Sequence, residues 1–347
     1  PLCPRLEVGQ TIMPRISNYL RAFWRLATHA QLMPVLESGD DPLIGGQAVI
    51  EGVMMRAPHS YCISVRRPDG EIVSKQEPIE RLSEKHKYWG WPGLRGLATL
   101  GQALTLGMRA LRFSANEALE QEKKAEGTAA KNSAEVPGWL MAANIAFSIG
   151  FFIVLYKFVP LWLTSAVQER VSWLDGNFSF SLADGIIRLA IFLTFLTLVS
   201  RMSDIRRVFQ YHGAEHKVVF NYESGQPVNI GQAQSFTTFH PRCGTSFLMV
   251  VMLVSIFVYA LVPYQGFAAK MLARVVLLPV IAAVSYEVIR FASRRRGHLL
   301  AWLVAPGLWL QRITTKDPSD DQVEISIHAL EGAMALEREQ NGELVVA

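Results

Sequence analysis

The chain alternates between long apolar runs and charged stretches. No charge occurs over 137–156, and this run, flanked by Trp139 and Tyr156, predicts a first membrane-spanning helix over 138–156. A second is predicted over 181–200, where 189–199 is unbroken and Asp184 and Arg188 near the start must snorkel or pair. The uncharged stretch 243–269 exceeds the roughly 20 residues a bilayer requires. The third span is therefore placed at 246–262, with a turn at 263–266. A fourth, over 271–289, carries the ionisable Glu287. The apolar segment 298–311 is short and interrupted by Pro306-Gly307, so it is expected to lie at the interface or re-enter rather than span.

The polar parts have patterns of their own. Over 15–37, Ile16, Tyr19, Leu20, Phe23 and Ala27 recur at helical spacing beside Arg21 and Arg25, as in a helix lying on an anionic membrane surface or packed on a soluble one. The runs 61–67 and 71–79 flank Pro68-Asp69-Gly70 and predict a β-hairpin, with a further strand over 48–55. The amphipathic helix predicted over 94–113 carries Gly96, Gly101 and Gly107 for close packing. The Glu/Lys/Ala-rich 116–137 reads as frayed helix or flexible linker. Ser319 to Gln322 has capping-box spacing, and Val323, Ile327, Leu330 and Met334 give the helix that follows an apolar face in need of a partner. The expected fold is mainly α: an integral membrane helical bundle with a cytoplasmic α+β N-terminal portion containing a small β-hairpin. Its parts are an amphipathic segment 1–40, the α+β portion 41–115, a linker 116–137, a bundle 138–316 with a motif loop 201–245, and a C-terminal helix and tail 317–347.

Composition agrees with the pattern: 50% of residues are hydrophobic, 18% charged, and mean hydropathy is +0.20, against roughly 25% charged in an average soluble domain. The 34 basic residues only slightly outnumber the 30 acidic ones, which argues against specific nucleic-acid binding. Their distribution sets topology. Half lie before 138, others lie in 201–244, and Arg290, Arg294, Arg295 and Arg296 follow the fourth span, whereas 157–180 and 263–270 are nearly free of them. Four spans with both termini in the cytoplasm satisfy every flank. The bilayer is then one partner, and membrane-protein biogenesis machinery is a second candidate. Three cysteines, Cys3, Cys62 and Cys243, exclude a secreted disulfide framework. Pro1-Leu2-Cys3 has no initiating Met, which leaves room for a leader ahead of it.

The chemistry concentrates in 201–245. His212-Gly213-Ala214-Glu215-His216 has the H-x-x-E-H spacing of inverted zincins: two imidazoles one helical turn apart can share a zinc ion, and the adjacent carboxylate can activate a water. His240 and Cys243 lie just before the third span and can be brought against them. Four ligands would make the site structural, whereas three would leave a position open, with Glu215 as catalytic base. The plainer alternative is a set of buried polar groups hydrogen-bonded where helices meet the membrane surface. Glu287 and Glu51 are candidates for a supporting shell, Glu287 having Arg290 as its simple alternative partner. Two function classes follow: a zinc-dependent hydrolase acting at the cytoplasmic face, or a non-enzymatic scaffold or biogenesis factor with a structural metal or none.

Four strings, 45–56 (GGQAVIEGVMMR), 204–217 (DIRRVFQYHGAEHK), 240–247 (HPRCGTSF) and 306–311 (PGLWLQ), together resemble the YqhQ family of bacterial polytopic membrane proteins. The resemblance runs over about 42–323. It implies a membrane bundle and the standing of that family, predicted metal-dependent enzymes of unknown function, and it adds little about the reaction.

Overall fold

The computed structural model describes residues 44–80, 86–125, 138–240, 243–262, 266–294 and 298–341. The expected amphipathic segment 1–40 and the linker beyond 125 lie outside them. Strands β1 (Gly45–Val49), β2 (Gly52–Arg56), β3 (Ser60–Arg66) and β4 (Ile72–Pro78) form an antiparallel sheet in chain order. The predicted hairpin is β3–β4, with Gly70 at φ +91°. The single strand expected over 48–55 is instead two, folded back at Ile50-Glu51. Glu51 takes φ +55° there, a conformation that disfavours side chains with a Cβ. Tertiary contacts hold it: its carbonyl accepts from Arg66 N–H at 2.9 Å, and its carboxylate pairs with Arg207 and accepts from the Tyr211 hydroxyl at 3.3 Å. Helix α1 (Leu94–Ala125) continues past the expected end at 113.

The apolar helices follow. Helices α2 (Gly138–Ile153) and α3 (Val159–Gln168) are joined by a π turn, Val154–Phe158. The span they offer is Ala146–Gln168 rather than 138–156. Lys157, which ends the uncharged run in the sequence, is no loop residue. It is turned into the bundle with Tyr156 and buried, a use of the wider π turn to re-aim side chains. Next come α4 (Asn177–Val199), α5 (Ser203–Glu223), the short α6 (Ile230–Gln234) and α7 (Gly244–Leu261). The fourth span is bent by 50° between α8 (Phe267–Val276) and α9 (Leu278–Arg294). Among the described residues three helices are long and apolar enough to cross a membrane, or four if the bent pair is one span. Phe147, Phe257, Leu261 and Leu272 point outward, Leu261 being 81% exposed; so large an apolar surface is compatible with a membrane protein.

Helix α10 (His298–Thr314) runs through Pro306-Gly307, which was expected to interrupt it. Proline removes one helical hydrogen bond, and packing compensates: a Cβ on Gly307 would stand 2.5 Å from Ser246 Cα, so only glycine lets α10 approach α7 this closely.

The sheet is the middle layer of a second body. Alternation along β2 and β3 sends Val53, Met55, Ala57 and Cys62 to one side, and Met54, Tyr61, Ile63 and Val65 to the other. Leu106 and Ala110 of α1 cover the second side. The first is covered by Tyr211, Ala214 and Val218 of α5, and by Val323, Leu330 and Met334 of α11 (Asp320–Asn341). Each such fully buried aliphatic contributes roughly 1.5–3 kcal/mol. The apolar face of α11 thus finds its partner in the N-terminal sheet. Gln322 Oε1 accepts from Ser319 N–H at 3.0 Å, one half of the expected capping box. Helix α1 ties this body to the bundle, since a Cβ on Gly96 would stand 2.8 Å from Tyr286 Cβ.

Candidate metal centre

Helix α5 faces two ways. Tyr211, Ala214 and Val218, at i, i+3 and i+7, enter the sheet core, and the neighbouring stripe of His212, Glu215 and His216 turns toward 238–243 and the end of α10. The His212 ring Nδ1 lies 2.8 Å from the Thr314 carbonyl, and the His216 Nδ1 lies 2.5 Å from the Thr238 carbonyl. A carbonyl only accepts, so both Nδ1 atoms carry the proton and both Nε2 lone pairs are free to ligate, the arrangement that orients metal-binding histidines.

Those two Nε2 atoms meet one thiol. His212 Nε2 is 3.2 Å from Cys243 Sγ. His216 Nε2 faces the same sulfur, buried and without a well-formed hydrogen bond. The three ligand atoms lie within 4.8 Å of one another. A tetrahedral zinc with the usual bond lengths sets an N···S separation of about 3.5 Å, so little movement is needed, and a two-histidine, one-thiol set suits zinc. Burial holds the His216 imidazole below its ordinary value, the neutral form a ligand requires. Cys243 is fixed as the N-cap of α7, its sulfur accepting from Thr245 N–H at 3.5 Å.

Glu215 is buried beside this cluster. Burial pushes its carboxyl up, opposed by His212, His240 and the Gly46 N–H that donates to it. Gly46 must be glycine to do so: a Cβ there would lie 2.8 Å from Glu215 Cγ. The β1 edge therefore delivers a backbone donor to the carboxylate.

The remaining candidates are placed elsewhere. The His240 ring packs on Phe220, and its Nε2 is 3.4 Å from Glu223. Burial pushes its pKa down to about 4, against the attraction of Glu215; it stands beside the three ligand atoms and not among them. Glu287 pairs with Arg95 (Nε 2.7 Å) and accepts from Gly93 N–H at 3.1 Å, where α9 meets α1. Glu51 pairs with Arg207. Sequence reasoning overlooks the parts that act through the backbone. Chief among them is Gln311, fully buried, which accepts from His240 N–H and donates to the His240 carbonyl, both at 2.8 Å.

The four resemblance strings meet around this helix: Gly46, His212 to His216, His240 to Cys243, and Gln311. A family model described as a protein of unknown function (DUF1385) matches residues 91–336. The uncharacterized protein YqhQ of Bacillus subtilis (strain 168) is 36% identical over 313 residues, which cover 86% of this chain and 95% of that protein. No solved structure matches. The chain belongs to the DUF1385 family, whose members include relatives like YqhQ.

Proposed function

We propose that the chain is a zinc-dependent hydrolase of the bacterial inner membrane, with His212, His216 and Cys243 as ligands, Glu215 as general base, and the site at the cytoplasmic face. The observation that supports this reading best is the pair of Nε2 lone pairs, each set free by a carbonyl at Nδ1 and both directed at one thiol. Bound zinc would supply a Lewis acid that polarises a carbonyl or phosphoryl oxygen. Glu215 contributes a carboxylate oxygen that takes a proton and later returns it, held in position by Gly46 N–H. With three ligands the fourth position is left to substrate, as in catalytic zinc sites. The basic flanks favour a cytoplasmic location for 201–245 and both termini, and on that reading the substrate class is a peptide or a lipid-derived ester or amide at the inner membrane surface.

A second reading rests on the same contacts. The triad joins α5, the 238–243 segment and α10, which is what a structural metal in a scaffold or biogenesis factor does. Glu215 separates the two. Protein purified without chelator is expected to hold about one zinc per chain, lost in His212→Ala/His216→Ala. Glu215→Gln should keep metal and fold while failing to complement a strain that lacks the gene. A fully functional Glu215→Gln favours the scaffold, and folded, complementing protein without metal overturns the metal reading altogether.

A further inference from the structure

At the end of the bundle away from the metal centre, every apolar span turns a polar side chain inward. Lys157 comes from the π turn, Asp184 and Arg188 from α4, Ser255 and Tyr259 from α7, and Arg274 from α8. Asp184 is fully buried, and Lys157, Arg188 and Arg274 are 6%, 5% and 2% exposed. Asp184 pairs with Arg188 and with Arg274 Nη2 at 3.2 Å. Arg188 Nη1 donates to Ser255 Oγ at 2.8 Å, and Lys157 Nζ lies 3.4 Å from the Tyr259 hydroxyl. All three cations gather around one aromatic ring: Arg274, Arg188 and Lys157 stand 5.0, 5.3 and 5.8 Å from the Tyr259 ring centroid.

Asp184 pairs with the two guanidiniums, and the Lys157 ammonium beside them bonds the Tyr259 hydroxyl instead, so these four residues carry a formal surplus of two positive charges. Buried ion pairs survive when their charges balance, and an uncompensated cation in an apolar bundle is among the costliest arrangements a fold can hold. Cation–π contacts offset part of the cost without neutralising it. Hydrogen-bonding capacity is also left over: Arg188 Nε and Arg274 Nε are buried with no acceptor, and Asp184 Oδ1 is buried with no donor. Two guanidinium forks, an ammonium and two units of unbalanced charge match one chemical group, a phosphate dianion, esterified or free, which accepts several charge-assisted hydrogen bonds at once.

We propose that this cluster binds a doubly charged phosphate group within the bundle, through Lys157, Arg188 and Arg274, with Asp184 holding the two guanidiniums in place. Asp184 and Arg188 lie roughly 10 and 16 Å along α4 from Asn177 at 1.5 Å per residue. Phosphatidic acid can reach that depth from the surrounding lipid, and inorganic phosphate from the aqueous side.

The test uses the whole chain in a zwitterionic detergent, following its unfolding midpoint in two arms. One compares micelles doped with phosphatidic acid or with phosphatidylcholine; the other compares inorganic phosphate with chloride at equal ionic strength. The expected result is a saturable rise with phosphatidic acid, weakened on the order of tenfold in Lys157→Met and in Arg274→Gln. Arg206→Gln, which removes an exposed cation at the other end, should leave it unchanged. A rise with inorganic phosphate that matches phosphatidic acid supports the site and assigns a soluble ligand; a rise with the lipid alone assigns a lipid one. Lys157→Met leaves the carboxylate–guanidinium pairs intact, so it carries the test if Arg274→Gln does not fold. No rise in either arm, or an undiminished rise in Lys157→Met, overturns the proposal.

Discussion

Replacing Gln311 with methionine tests how the metal centre is held together. The substitution nearly conserves volume, so the cavity contribution is small. It removes both hydrogen bonds that clamp His240, taking the side-chain acceptor from a buried backbone N–H and leaving the buried carbonyl with the longer Cys243 N–H contact at 3.4 Å, in a residue only 5% exposed. Loss of the N–H acceptor costs about 1–3 kcal/mol, so Gln311→Met should destabilise the protein by about that amount. The same segment supplies the Thr238 carbonyl that orients His216 and leads into Cys243, so zinc affinity should fall as well. Denaturant unfolding in detergent reads the first effect, and competition against a chromophoric chelator reads the second. Gln232→Met is the control, because the Gln232 amide bonds only an exposed partner, Gln226, and its loss should stay within about 0.5 kcal/mol. A Gln311→Met protein as stable as that control, with unchanged zinc affinity, would refute the clamp.

Two further predictions concern the sheet. Burial alone would raise the Glu337 carboxyl, but hydrogen bonds from His59 N–H, the His59 ring and the Ser60 hydroxyl outweigh it and hold the group below its ordinary value. A carboxyl depressed in the folded state contributes stability above its unfolded pKa and loses it as pH falls through the folded one; the stability gap between wild type and Glu337→Gln should therefore shrink as a pH titration passes below about 4.3. Gly46→Ala puts a Cβ 2.8 Å from both Glu215 Cγ and the Met54 carbonyl, which should cost about 1–3 kcal/mol and abolish complementation without removing zinc; full complementation would show that Gly46 does not position Glu215.

What was legible in the sequence was local. The uncharged 189–199 run, the Pro68-Asp69-Gly70 turn, the Ser319 to Gln322 capping spacing and the His212/His216 stripe each announce themselves within one turn or hairpin, and each appears in the structure. What was missed depends on distant partners. The turn at Glu51 carries its glycine one position late, at Gly52, and the left-handed position falls on Glu51, which Arg207 and Tyr211, far along the chain, stabilise. Lys157 reads as the end of a span until Tyr259 supplies a partner inside the bundle. Pro306 reads as a helix break until Gly307 packs on Ser246. His240 has a ligand's chemistry and lies near the right helix, but its ring is held by Phe220 and Glu223, which spacing along the chain does not reveal.

The sheet and its cover sit at opposite ends of the polypeptide, and this sets a schedule for synthesis. Strands β1 to β4 leave the ribosome first, yet the side that carries Val53, Met55 and Cys62 is closed only by α5 and α11. At 5–20 residues per second, the interval between Arg66 and Asp320 is roughly 13–50 s. Throughout that interval the apolar helices are also being made, while a half-built apolar surface waits for its cover. A ribosome stalled before α11 would leave a chain with its apolar helices complete and that surface uncovered, a form that differs from the finished one by an exposed apolar patch.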